Sequence, residues 1–163
     1  MKFKAGETIK GKLSTTDNYR ITSGLALEYL DDKLFRIVSA QKCLTINGFS
    51  CNRYYCIAHS DCTIEAVNSL DELLKKCVDQ NRENVYRAEI ICKNVDYKVS
   101  WALLRGECNK LSRADFAEYL SMAMETLIRT LSSMQDKKLI NIKKGEIEII
   151  DYKGLRRIIG INE

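Results

Sequence analysis

Leu111-Ser112-Arg113-Ala114-Asp115-Phe116-Ala117-Glu118-Tyr119-Leu120 is followed, after three residues, by Met124-Glu125-Thr126-Leu127-Ile128-Arg129-Thr130-Leu131-Ser132-Ser133-Met134-Gln135. Ser112 can cap the first turn of a helix, Asp115 three residues later can answer it, and Leu111 can pack against Phe116 across the cap. The predicted helix runs to about Leu120. A break at Ser121-Met122 precedes a second helix from about Ala123 to Gln135, where Leu127, Leu131 and Met134 line one face at spacings of four and three. Glu125, Thr126, Arg129 and Ser133 fall largely on the other face.

Moving outward towards the C-terminus, Leu139-Ile140-Asn141-Ile142 and Glu146-Ile147-Glu148-Ile149-Ile150 flank Lys143-Lys144-Gly145. Alternation on both sides of a glycine-containing tight connection predicts a β-hairpin. A last short helix is expected from Tyr152 to Ile159. Helix, turn, helix, hairpin is the order of a winged helix-turn-helix, whose second helix enters the DNA major groove and presents its N-terminal side chains to base edges. The basic tip, Lys143 and Lys144, together with Arg113, is then placed to meet phosphates.

Towards the N-terminus the period stays helical from Leu70 to Leu104. Val85, Ala88, Cys92, Val95, Val99 and Ala102 alternate at spacings of three and four, the a/d seam of a paired helix. One reading is an amphipathic helix packed on its own chain. The other, taken here, is a long dimerisation helix over residues 76–104. From Met1 to about Val67 the pattern is strand-like, with short β-branched segments such as Tyr19–Thr22 and Leu34–Val38 broken by glycines and by Asp31-Asp32. The fold class expected is α+β: an antiparallel β-roll over residues 1–75, the helix over 76–104 and a winged helix-turn-helix over 105–163.

Composition agrees with a globular chain of 163 residues, 45% hydrophobic and 29% charged. No apolar run is long enough to span a membrane, and no apolar stretch follows the N-terminus as a secretory signal would require. These point to a cytoplasmic protein. Seven scattered cysteines then read as free thiols that pack as small apolar residues. The formal charge of +4 permits a polyanionic partner without demanding one.

Over Leu111–Asp151 the chain resembles the Crp/Fnr family of bacterial transcription regulators, through L-S-R-A-D-F-A-E-Y-L, M-E-T-L-I-R-T-L-S-S-M-Q-D-K-K-L-I and G-E-I-E-I-I-D. Phe3–Ile9 and Asp17–Gly24 are similar to early strand motifs of that family's β-roll. The resemblance implies a homodimer on a pseudo-palindromic site in double-stranded DNA, with RNA polymerase as a further candidate partner and no membrane. It places Glu125, Thr126 and Arg129 at the positions that read DNA. Arg129 can fork onto guanine O6 and N7, and Glu125 can accept from cytosine N4. Without the resemblance these two side chains would read as a surface ion pair of little worth.

The chain departs from the family in three places. Met124 stands where many members carry a polar or basic residue. Ala123 stands where a Ser or Thr cap is common. The stretch Asn47–Tyr54 is shortened and lacks the glutamate and hydroxyl of a cyclic-nucleotide cassette, so Arg53 alone does not supply the donor and acceptor set. No cyclic nucleotide and no other cofactor is therefore expected, and neither is the iron–sulfur sensing that relatives build on an N-terminal extension.

Cys56, His59 and Cys62 are evenly spaced, yet a tetrahedral zinc site needs a fourth ligand from Cys43 or Cys51. If Tyr55–Val67 is one strand, His59 points away from both cysteines. No metal is assigned. Phosphate-binding loops, dinucleotide fingerprints and serine elbows are missing from the sequence, so no enzyme is expected. From Val99 to Glu163 eleven basic residues face nine acidic ones. That near-balance keeps a second class open, a protein-interaction module on the same fold, beside a thiol- or ligand-responsive sensor.

Overall fold

Strand alternation in the N-terminal half sorts the side chains into two inward-facing sets. The computed structural model describes residues 1–9, 12–13, 18–44, 54–67, 69–106 and 108–161. The strands are β1 (Lys2–Phe3), β2 (Asn18–Ser23), β3 (Leu25–Leu30), β4 (Lys33–Ser39), β5 (Tyr54–Ala58) and β6 (Cys62–Val67). They form two three-stranded sheets, ordered β1-β6-β2 and β4-β3-β5, with every pairing antiparallel. In β2, Tyr19 and Ile21 are buried between half-exposed Asn18, Arg20 and Thr22. In β5, Tyr54, Cys56 and Ala58 are buried, and the two sets meet with Phe3, Ile9, Val38 and Ile64 in one apolar core.

The β3–β4 connection shows how local chemistry sets the register. Asp31 and Asp32 both take the left-handed conformation, with φ of 51° and 61°, and Leu30 pairs with Lys33 across them. Positive φ at both central residues gives a turn whose twist matches the strands it joins, and aspartate tolerates that region better than most residues. The stretch Tyr55–Val67 is two strands, with His59–Asp61 turning between them, so Cys56 and Cys62 belong to different sheets.

The long helix expected over residues 76–104 is observed as two. α1 (Leu70–Ile91) begins six residues earlier, and α2 (Val95–Leu104) starts afresh after a break. Asn94 supplies the reason: its backbone is extended, and its side-chain oxygen accepts from the Tyr97 amide at 2.8 Å. Asparagine competes with the helix ladder in mid-helix and is favoured at an N-cap, so it starts a helix here rather than continuing one.

The chain divides into two compact units, Met1–Asn84 and Val85–Glu163, the boundary falling within α1 rather than at residues 75 and 105. The second unit contains α2, α3 (Arg113–Tyr119), α4 (Met124–Asp136), β7 (Ile140–Lys143), β8 (Glu146–Ile149) and α5 (Tyr152–Ile158). Helix α2 packs on α4 and α5, α3 on α4, and α4 on β7. Val99, Ala102, Leu103, Phe116, Leu127 and Leu155 are wholly buried in this unit. Helix, turn, helix and two-stranded hairpin follow one another as the sequence predicts, each within two residues of the expected bounds.

Candidate nucleic-acid interface

The two helices of the turn motif are held by local chemistry. Ser112 Oγ accepts from the Asp115 amide at 3.1 Å, the expected N-cap, and donates to Asp115 Oδ2 at 2.7 Å, so the two side chains bond to each other. Leu111 and Phe116 are both buried beneath it. At the other end of α3, Ser121 takes a left-handed φ of 52°. The Ser121 amide donates to the Glu118 carbonyl and the Met122 amide to the Ala117 carbonyl, which stops the helix sharply and redirects the chain. Helix α4 then opens at Ala123 with no side-chain cap bond, leaving its first amides without the partner a Ser or Thr would give.

Leu127, Thr130, Leu131 and Met134 form the buried face of α4. Thr130 removes its hydroxyl from the apolar surroundings by donating to the Thr126 carbonyl at 2.9 Å. Met124, Glu125, Ile128, Arg129 and Ser132 form the exposed face. Glu125 and Arg129 thus lie where the sequence puts them. Thr126 and Ser133 are half-buried at the edges of that face, and Ser132 takes the outward position expected of Ser133. The i, i+3, i+7 spacing from Glu125 could have found Ile128 and Ser132, since 3.6 residues per turn makes residues 125, 128, 129 and 132 neighbours.

Arg113 opens α3 half-buried, and desolvation lowers its pKa. In the hairpin, Lys143 pairs with Glu146 across the ladder while Gly145 turns the chain at φ 82°, a conformation that is cheap only for glycine. Lys143 Nζ lies 2.7 Å from Glu148 Oε2. That hydrogen bond raises the pKa of the lysine and lowers that of the glutamate. Lys143 therefore already has a counter-charge, whereas Lys144 beside it is exposed at the turn.

The expected seam needs correcting at its C-terminal end. Val99 and Ala102 are 0% exposed inside their own unit, and Val95 lies beyond the break, so none of the three extends the α1 surface. Val85, Ala88 and Cys92 do face outward, Val85 at 53% exposure. The same three-four alternation continues backwards through Asn81, Val78 and Leu74, all exposed. The stripe is thus Leu74, Val78, Asn81, Val85 and Ala88, with Cys92 just past the end of α1, displaced by about three turns from the expected one. Its opposite face, including Lys76, Glu83 and Ile90, is wholly or partly buried.

Cys56 and Cys62 sit in the core of the first unit, where desolvation pushes both thiols up. Cys56 packs there as a small apolar residue, and the Cys62 thiol also donates to the Leu25 and Ser60 carbonyls. Beside Cys56, the Tyr54 hydroxyl donates to Glu28 at 2.7 Å, and Arg36 donates to Glu28 at 3.2 Å and to the Cys43 carbonyl at 3.0 Å. Residues 47–53 of the shortened cassette, including Arg53 and Cys51, lie outside the described residues. Among the described residues, no helix is long and apolar enough to cross a membrane.

Comparison with known proteins agrees with this geometry. Residues 99–158 match the family described as the Crp-like helix-turn-helix domain. Over 51 residues the chain is 35% identical to the transcriptional regulatory protein btr of Bordetella pertussis, a match spanning 31% of this chain and 21% of that protein. A CRP/FNR-family transcriptional regulator from Thermus thermophilus superimposes with a TM-score of 0.79 at 23% identity, covering 100% of this chain and 99% of the other. FixK2 from Bradyrhizobium japonicum superimposes with a TM-score of 0.80 at 15% identity, covering 100% and 98%.

Proposed function

We propose that this chain, whose residues 99–158 match the Crp-like helix-turn-helix domain and whose fold resembles that of a CRP/FNR-family regulator, regulates transcription as a homodimer that binds a pseudo-palindromic DNA site. The observation that carries the reading is the exposed face of α4. Glu125 and Arg129 stand one turn apart on a helix whose other face is locked into the core. Such a helix, preceded by a sharp turn and a short capped helix, is the element that enters a major groove. There Arg129 donates two hydrogen bonds to guanine and Glu125 accepts from cytosine. Lys144, Arg113 and, more weakly, Lys143 meet phosphates, which position the helix without reading sequence.

Dimerisation through α1 follows from its outward stripe. Leu74, Val78, Val85, Ala88 and Cys92 would pack against the same residues of a second copy, a self-complementary two-fold contact. Asn81 lies in the middle of this seam. A single polar residue there lowers stability but penalises slipped registers, in which its amide would face an apolar side chain. Two recognition helices related by such an axis read half-sites about one helical turn, ~34 Å, apart. A protein of this kind works in the cytoplasm, where RNA polymerase is an available partner.

Selection from a random double-stranded DNA library, run beside a solution mass determination, tests the reading. A two-fold symmetric enriched sequence and a dimer mass are expected. A monomer with no enriched sequence at low salt would overturn it.

A further inference from the structure

We propose that Met124 and Ile128 form an apolar pair that reads thymine methyl groups, making the operator rich in A·T pairs beside the guanine and cytosine contacted by Arg129 and Glu125. This rests on the reading of α4 as the DNA-recognition helix. Both side chains are 44% exposed, and they are the two apolar residues among the exposed positions of α4, where the remainder are polar or charged. They stand at i and i+4, so one lies above the other on a single ridge. Glu125 and Arg129 form the neighbouring ridge at the same spacing.

Single exposed apolar residues are ordinary on protein surfaces. Two stacked on the ridge that faces the groove need an occupant. Among the four unmodified bases, the major-groove edges present hydrogen-bonding groups and one apolar group, the C5 methyl of thymine. An isoleucine or methionine against any other base edge would desolvate a donor or acceptor without replacing its hydrogen bond. Against a thymine methyl it removes apolar surface from water on both sides.

The two residues differ in stiffness. Ile128 is β-branched, with essentially one side-chain rotamer in a helix, and it projects from the second turn of α4. Met124 is unbranched and adaptable. Ile128 should therefore impose the sharper preference.

The test uses the full-length protein on the operator recovered by library selection. Each thymine in turn is replaced by deoxyuridine, which removes only the methyl. At one or two positions per half-site this should weaken wild-type binding by roughly fourfold, the worth of one buried methyl. Ile128→Ala should bind the thymine and uracil operators about equally at the position it reads, and Met124→Ala should do the same at its own. Both positions are exposed, so folding should be unaffected and circular dichroism should be unchanged. Equal affinity of the wild type for every thymine and uracil operator would overturn the inference. So would a methyl effect of undiminished size in both alanine proteins, which would assign it to DNA shape. A library that enriches no sequence would remove the DNA-recognition reading, and the inference with it. An enriched sequence that depends on Arg129 but not on any methyl removes the inference alone.

Discussion

Lys143 and Lys144 are adjacent in sequence and differ in what their charge already meets. Lys143 is bonded to Glu148 across the hairpin, whereas Lys144 is exposed at the turn. A phosphate contact by Lys143 must compete with that carboxylate. Lys144→Ala should weaken binding evenly across DNA sequences and reduce the slope of log affinity against log salt by about one. Lys143→Ala should do less, and salt titrations of both proteins on one duplex check the order. Deeper in the chain, Glu28 on β3 is 0% exposed and pairs with Arg36 directly across the strand on β4. Removing one partner leaves an uncompensated buried charge, so Arg36→Met should cost about 3–5 kcal/mol in urea unfolding. Adding Glu28→Leu should recover most of that loss. The recovery would be incomplete, because the Tyr54 hydroxyl would lose its acceptor.

Helix α4 begins without a cap, and this defect is correctable. Ala123→Ser should stabilise the protein by about 0.5–2 kcal/mol, read as a raised unfolding midpoint, and should leave the preferred DNA sequence unchanged. No change in stability would mean that the first amides of α4 already have partners. The elements of this unit are legible in sequence because each carries its own local signal. Ser112 and Asp115 mark a helix start, Leu127, Leu131 and Met134 mark a buried face, and Gly145 marks a turn. The break before α2 is masked although Asn94 signals it, because Val95, Val99 and Ala102 keep the period across the break. Heptad spacing records only that residues are apolar at helical intervals. Whether they face a second chain or their own core depends on tertiary packing, and α4 and α5 cover α2. The burial of Glu28 is likewise hidden, since its partners Arg36 and Tyr54 come from other strands.

At the scale of the whole molecule, operator binding depends on two copies acting together. Val85 lies on the exposed stripe of α1. Val85→Asp would set two like charges against each other in a two-fold seam, so the protein should run as a monomer in light scattering. Losing the second recognition helix should lower operator affinity by about 100-fold or more, because the second half-site is no longer bound intramolecularly. An unchanged dimer would place the contact elsewhere. The central claim, that α4 reads sequence, is tested most directly by titrating wild type and Arg129→Ala against the selected operator and a scrambled duplex at one salt concentration. The expected result is a loss of about 1–3 kcal/mol for Arg129→Ala on the operator, relaxed preference at one base pair, and little change on the scrambled duplex. An equal loss on both duplexes would make Arg129 a phosphate contact, and no loss on either would remove α4 from the DNA interface.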